Sequence, residues 1–172
     1  MVPFAQLHVH SEYSLLDGAC RIEKLVDRVA ELGQTSCALT DHGVMYGVID
    51  FYRACKAKGI HPVIGCEVYL APHSRFDRSY INGEWHTHLI LLCENMTGYR
   101  NLIHMVSCGF SEGFYMKPRI DMELLRAHSE GLICLSACLA GAIPRALADG
   151  DMDGAYALCE QFLDHFDRDH FT

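Results

Sequence analysis

The sequence predicts an α/β protein assembled from strand-helix units. Short apolar runs of strand length alternate with stretches whose apolar residues recur at helical spacing, and glycines stand where several of the helical stretches stop. Half of the 172 residues are hydrophobic, enough to bury the core of one domain. Alternation of this kind implies βα units with parallel pairing and nearly all-apolar strands. A barrel of such units carries its functional residues at the C-terminal ends of strands and in the loops that follow.

The first strand is expected at residues 4–10, FAQLHVH, and a helix over RIEKLVDRVAEL follows, with Ile22, Leu25, Val26 and Val29 at i, i+3, i+4 and i+7 and Gly33 as its stop. SCALT at 36–40 reads as a short strand running into the turn signature DHG. A second helix spans about Gly47 to Lys58, Gly59 ends it, and HPVIGCEVYLA at 61–71 is the next strand. The polar stretch between Ala71 and Glu84 predicts an exposed hairpin or loop before WHTHLILLC resumes a strand at 85–93. A helix from about Gly98 to Cys108 leads into an irregular Gly, Pro and aromatic-rich stretch, GFSEGFYMKPRID. Asp121 is placed to cap the short helix MELLRAH, Gly131 closes it, and LICLSAC is another strand. From about Ala142 to Asp164 the pattern is two amphipathic helices divided at Asp149, Gly150 and Asp151.

Charge and cysteine content narrow the function classes. With 14 Lys and Arg against 22 Asp and Glu, the formal net charge of -8 argues against this chain clamping duplex DNA by itself, since that binding draws on neutralised phosphates. A bound divalent ion escapes the argument, being often the largest charge in its site. Nine cysteines, an odd count with no CxxC pair and no signal peptide ahead of the first strand, fit a reducing cytosol better than a disulfide framework or a zinc ribbon. No apolar run approaches the roughly 20 residues that cross a bilayer.

The strand ends collect residues of metal-ligand type. His8 and His10, two apart, project from one face of an expected strand. Asp17 lies in the loop beyond; Asp41 and His42, Glu67, His86 and His88, and Cys138 fall at later strand ends. Imidazole, carboxylate and thiolate are the usual donors to zinc and its neighbours. Each has a plainer reading alone: an HxH pair on a wet face, DHG as an ordinary turn, Cys138 as a small buried hydrophobe. Glu67 is the sharpest, because a carboxylate inside VIGCEVYL is costly to bury unless paired or metal-bound. Agreement among five strand ends favours a shared site. Cys66 and Asp41 should point away from their neighbours Glu67 and His42, with Asp41 free to orient a ligand indirectly. The other histidines read as surface, and Lys117 and Arg119 either hold phosphate or face water.

Taken together, LHVHSEYSLLDG, LTDHGVMYG, GIHPVIGCEVYL, HLILLCENMTGYRNL, EGFYMKPRID and LSACLAGAIP resemble the PHP (polymerase and histidinol phosphatase) domain that opens the alpha subunit of bacterial DNA polymerase III, the C-family replicative polymerase. The resemblance runs from Phe4 to the terminal RDHFT, and EGFYMKPRID and SACLAG are more specific to the polymerase branch than to stand-alone phosphoesterases. It implies a distorted barrel of seven βα units with up to three divalent ions, zinc or manganese, at its mouth. Carried over by position, His8 and His10 would bind one ion and Glu67 would bridge it to a second. His88 and Cys138 would complete the second, and Asp17 with His42 would hold a third. The family's final Asp and His ligands have no matching motif here. The resemblance therefore implies that residues 1–172 are the N-terminal part of a PHP domain, stopping before the last barrel units and without the polymerase domains, and that HFT begins a further strand.

The implied function is a part in DNA replication, with metal-dependent phosphoester hydrolysis (a 3′-5′ exonuclease or pyrophosphatase-like activity) where the ligand cluster is complete. One alternative is a non-catalytic module that stabilises the polymerase and docks a proofreading exonuclease subunit. Another is a stand-alone PHP phosphoesterase. The implied partners are the rest of the polymerase chain, that exonuclease, and DNA through the parent polymerase, with no membrane.

Overall fold

The computed structural model describes residues 4–78 and 86–172. Along the chain run α1 (Ile22–Glu31), β1 (Ser36–Leu39), α2 (Val48–Ala57), β2 (His61–Leu70), β3 (Thr87–Cys93), α3 (Met96–Ser111), β4 (Arg119–Ile120), α4 (Met122–Ala127), β5 (Leu132–Leu135), α5 (Ala142–Ala148) and α6 (Met152–Leu163). The expected loop between Ala71 and Glu84 and the first residue of the expected strand at 85–93 lie partly outside the described residues, at positions 79–85.

The architecture is a mixed α/β sheet in the order β1-β2-β3-β5, with β4 paired to β2. The expectation of uniformly parallel pairing is corrected. β1 and β4 lie parallel to β2, but β3 is antiparallel to both β2 and β5. A parallel pair needs a long crossover, usually a helix; β2 and β3 are adjacent in sequence with no helix between them among the described residues, so the chain turns back on itself.

Residues 4–10 form no regular strand, a second correction. They run beside β1, with Ala38 N donating to Gln6 O at 2.8 Å and Thr40 N to Val9 O at 2.8 Å. The Thr40 hydroxyl takes part where a strand would use backbone alone, accepting from Val9 N at 2.9 Å and donating to Val9 O at 3.1 Å. At the other end, Phe171 forms an isolated parallel bridge to Cys134 of β5 (Cys134 N to His170 O, 2.8 Å; Thr172 N to Cys134 O, 3.0 Å), while His170 still belongs to a turn, so no regular strand is formed by HFT.

α1 buries Ile22, Val26 and Val29 with Phe51 and Cys55 of α2 and Cys37 and Leu39 of β1. Removing such side chains from water is what holds a helix of this length, since short isolated helices are marginal. A larger cluster joins Cys66, Val68, Leu89 and Leu91 to Leu102 and Met105 of α3, Leu125 of α4 and Phe162 of α6. α3 starts earlier than its sequence pattern suggests, because Asn95 caps it by accepting from Thr97 N at 2.9 Å and Gly98 N at 3.1 Å. Gly98 is a packing residue in that first turn, where a Cβ would meet the Gly131 carbonyl.

Strand alternation decides where the site lies. Cys66, Val68, Leu89 and Leu91 enter the large cluster, so Glu67, Tyr69, His88 and Ile90 face the opposite side of the sheet. There Ala38, Ile90 and Leu92 form a small apolar cluster, and Glu67, Tyr69 and His88 continue it toward the polar end.

Candidate metal centre

Glu67 is the hub. It is fully buried at the middle of β2, pairs with Ile90 across β3, and bridges to His42 in a parallel continuation of β1. Four imidazoles converge on its carboxylate. His8 Nε2 contacts Oε2, His10 Nε2 lies 3.4 Å from Oε2, His42 Nδ1 lies 3.0 Å from Oε1, and His88 Nδ1 contacts Oε1. Two groups bring their donor atoms within 4.8 Å of one another: His8, His10 and Glu67, and His42, Glu67 and His88.

His8 and His10 do share one direction, as expected of residues two apart, with Nε2 atoms 3.2 Å from each other. His42 stands where the DHG turn reverses. Gly43 takes φ +63°, a conformation costly for other residues, and its N–H donates to Glu67 O at 2.8 Å. Asp17 reaches His42 Nε2 at 3.0 Å. Cys138 is exposed, 4.0 Å from His88 Nδ1, on a turn set by Ala137 at φ +68° and tied to β3 by the hydrogen bond from His88 N to Ala140 O. All seven candidate ligands therefore gather in one place: four histidines on the Glu67 carboxylate, and Asp17 and Cys138 each beside one of those histidines.

Electrostatics follow from the geometry. Burial pushes Glu67 up, but His10, His42, His8 and His88 together outweigh it and hold its carboxyl well below the usual carboxylate range. Glu67 raises the pKa of His42 despite burial, and Asp17 adds to the shift; Asp17 is itself lowered by His42. Even so, Glu67 Oε1, His42 Nδ1 and His10 Nδ1 are buried without a well-formed hydrogen bond among the described residues. A buried carboxylate oxygen with two imidazole nitrogens close by and no bond angle satisfied is the donor arrangement of a cation cage. The residues present fit a divalent metal.

Of the support around these groups, sequence reasoning missed Tyr69. Tyr69 is buried with its ring 5.2 Å from His88 and 6.2 Å from His42, and burial followed by Glu67 pushes its phenol up to about 12. Alternation along β2 places it on the Glu67 face, a signal that was available. His86 stacks on His88 and is lowered to about 4 by burial, so it stays neutral. Asp41 does orient the site indirectly, through serines. Its carboxylate accepts from Ser11 N (2.6 Å), Ser11 Oγ (2.7 Å) and Ser14 Oγ (2.7 Å), and Ser14 Oγ accepts from His42 N at 3.1 Å. This pins the loop carrying Asp17. Arg119 neither faces water nor is free to hold phosphate: it is buried and donates to the carbonyls of Gly113, Arg75 and Asp77.

Residues 6–172 match the family model described as PHP domain. The chain belongs to the PHP domain family. This PHP domain is 55% identical over 148 residues to the DNA polymerase III subunit alpha of Treponema pallidum, covering 86% of the chain and 13% of that protein. It is 47% identical over 167 residues to that of Chlamydia trachomatis, covering 96% and 13%. The domain thus spans 13% of the length of these curated relatives, which are much longer chains. A solved amidohydrolase from Chromobacterium violaceum overlaps 93% of the PHP domain and 49% of its own chain, at TM-score 0.45 and 21% identity. No helix among the described residues is long and apolar enough to cross a membrane.

The raised pKa of His42 has a consequence for pH. In metal-free protein a raised folded-state pKa contributes stability that is full below the ordinary value of 6.5 and fades as pH rises through the folded value. With chelator present, the thermal midpoint of wild type minus that of His42→Gln is expected to be largest near about pH 5.5 and to shrink by about pH 8.5. Metal-loaded protein should show the opposite slope, because protons compete for the same nitrogens.

Proposed function

We propose that this PHP domain is the N-terminal part of a DNA polymerase III alpha subunit and carries a metal-dependent phosphoesterase site, acting on a 3′-terminal nucleotide or on pyrophosphate. The observation that carries the reading is the buried Glu67 carboxylate shared between two histidine groups. The long alpha-subunit relatives support its place in a replicative polymerase. The complete fold in this reading is a distorted seven-unit barrel, and the rest of the polymerase chain, a proofreading exonuclease and DNA are its partners.

His8 and His10 would hold one ion, with Glu67 bridging to a second that His88 and Cys138 complete; Asp17 and His42 would hold a third. Zinc or manganese suits this mixture of imidazole, carboxylate and thiol. Such ions supply Lewis acidity for phosphoester hydrolysis. The chain's part is to fix the donors: Asp41 through Ser11 and Ser14 sets the Asp17 loop, and Tyr69 and His86 wall off the His88 side.

Elemental analysis of the untagged chain and hydrolysis of bis(p-nitrophenyl) phosphate test the reading together. Divalent metal should copurify, and hydrolysis should require it. Cys138→Ala should weaken metal binding by about 10- to 100-fold while shifting the stability of the metal-free chain by no more than about 0.5 kcal/mol, because the thiol is exposed. A chain that takes up metal but hydrolyses no phosphoester would favour the non-catalytic, polymerase-stabilising role.

A further inference from the structure

We propose that Lys117 is a substrate-binding residue of this site, its ammonium beside the Tyr69 ring that also neighbours His42 and His88, where it holds a non-transferred oxygen of a phosphoester. The inference rests on the phosphoesterase reading and deepens it by assigning the cation that recognises the substrate's charge. Lys117 Nζ sits 5.3 Å from the centroid of the Tyr69 ring, and the same ring lies 5.2 Å from His88 and 6.2 Å from His42. A cation over an aromatic face is held weakly and stays available to an anion.

The turn that presents Lys117 is rigid. Met116 adopts φ +61°, and Tyr115 N donates to Lys117 O at 3.1 Å across a tight bridge. Immediately beyond, buried Arg119 fastens the turn by donating to the carbonyls of Gly113, Arg75 and Asp77, while Arg75 pairs with Asp121 and Glu112. A fixed backbone lowers the cost of holding a flexible lysine in place on binding.

The charge is also unspent. Lys117 has no carboxylate within salt-bridge distance among the described residues, unlike Arg75 or Lys58. The surrounding site is acidic, through Glu67 and Asp17, on a chain of net charge -8. An anionic substrate held by metals over these carboxylates gains further from a positive side chain beside them.

The test uses the manganese-loaded chain and inorganic phosphate, followed by calorimetry, together with the KM for bis(p-nitrophenyl) phosphate. Lys117→Met is expected to weaken phosphate binding and raise KM by about 10-fold or more, with metal content and thermal midpoint unchanged. Lys117→Arg should restore most of the affinity. Equal phosphate binding by wild type and Lys117→Met, with metal retained in both, overturns the role of Lys117 and leaves the phosphoesterase reading standing. Loss of metal in Lys117→Met overturns it too, by showing that the lysine acts through the fold. Wild-type protein that takes up neither manganese nor zinc overturns the phosphoesterase reading and Lys117 with it, an outcome that elemental analysis separates from the others.

Discussion

Glu67→Gln is expected to abolish most divalent-metal binding and to lower any phosphoester hydrolysis by about 100-fold or more. The amide keeps the shape but loses the charge that four imidazoles surround, and an amide nitrogen facing His8 or His88 presents a donor where a cation needs an acceptor. The thermal readout is equally large. A metal present at about a thousand times its dissociation constant stabilises the native chain by about 4 kcal/mol, or about 8–16 °C for a domain of this size. Differential scanning calorimetry with and without saturating manganese should show that increment in wild type and not in Glu67→Gln. A variant that kept both metal and increment would remove Glu67 from the centre of the site.

Asp41→Ala is expected to cost about 3–5 kcal/mol, a drop in thermal midpoint of about 6–20 °C. The carboxylate is 2% exposed and accepts three hydrogen bonds, so its removal strands Ser11 N, Ser11 Oγ and Ser14 Oγ in the interior. The effect extends to the site because Ser14 also holds His42 N, and the same loop carries Asp17. Gly18 closes that loop so tightly that a Cβ would run into the Ser11 carbonyl, leaving little room for it to adapt. Metal affinity should fall by about 10- to 100-fold even though Asp41 touches no candidate ligand side chain. Asp41→Asn, which keeps one acceptor oxygen, should lie between wild type and Ala in both measurements. A stable Asp41→Ala protein with unchanged metal affinity would show that the loop is organised by other contacts.

The candidate ligands could be read from the chain because each pairs a chemical type with a position. His8 and His10 are two apart, Glu67 is an acid in an apolar strand, His42 and Cys138 follow apolar runs, and His88 directly precedes one. The helices were equally legible: α1, α2 and α4 follow the apolar spacing and the Gly or Asp signals at their ends. Strand direction was not legible. Periodicity reports which residues of β3 are buried, but not which way β3 runs against β2, and the pairing that decides it joins residues far apart in sequence. The same limit hid Arg119, a charged side chain that sequence places at the surface by default. Its burial is sustained by three carbonyls from two other segments.

By itself, then, the sequence determined the donor types, their placement in or beside apolar runs, and the helices that carry the core. Tertiary structure alone decided that four imidazoles meet on one buried carboxylate, that Asp41 acts through serines, and that the Tyr69 ring neighbours His42, His88 and Lys117 together. The physical reason is range. Helix periodicity and capping are local and leave a pattern in neighbouring residues, whereas Glu67 meets His8 across 59 positions, and only the folded sheet makes that contact short.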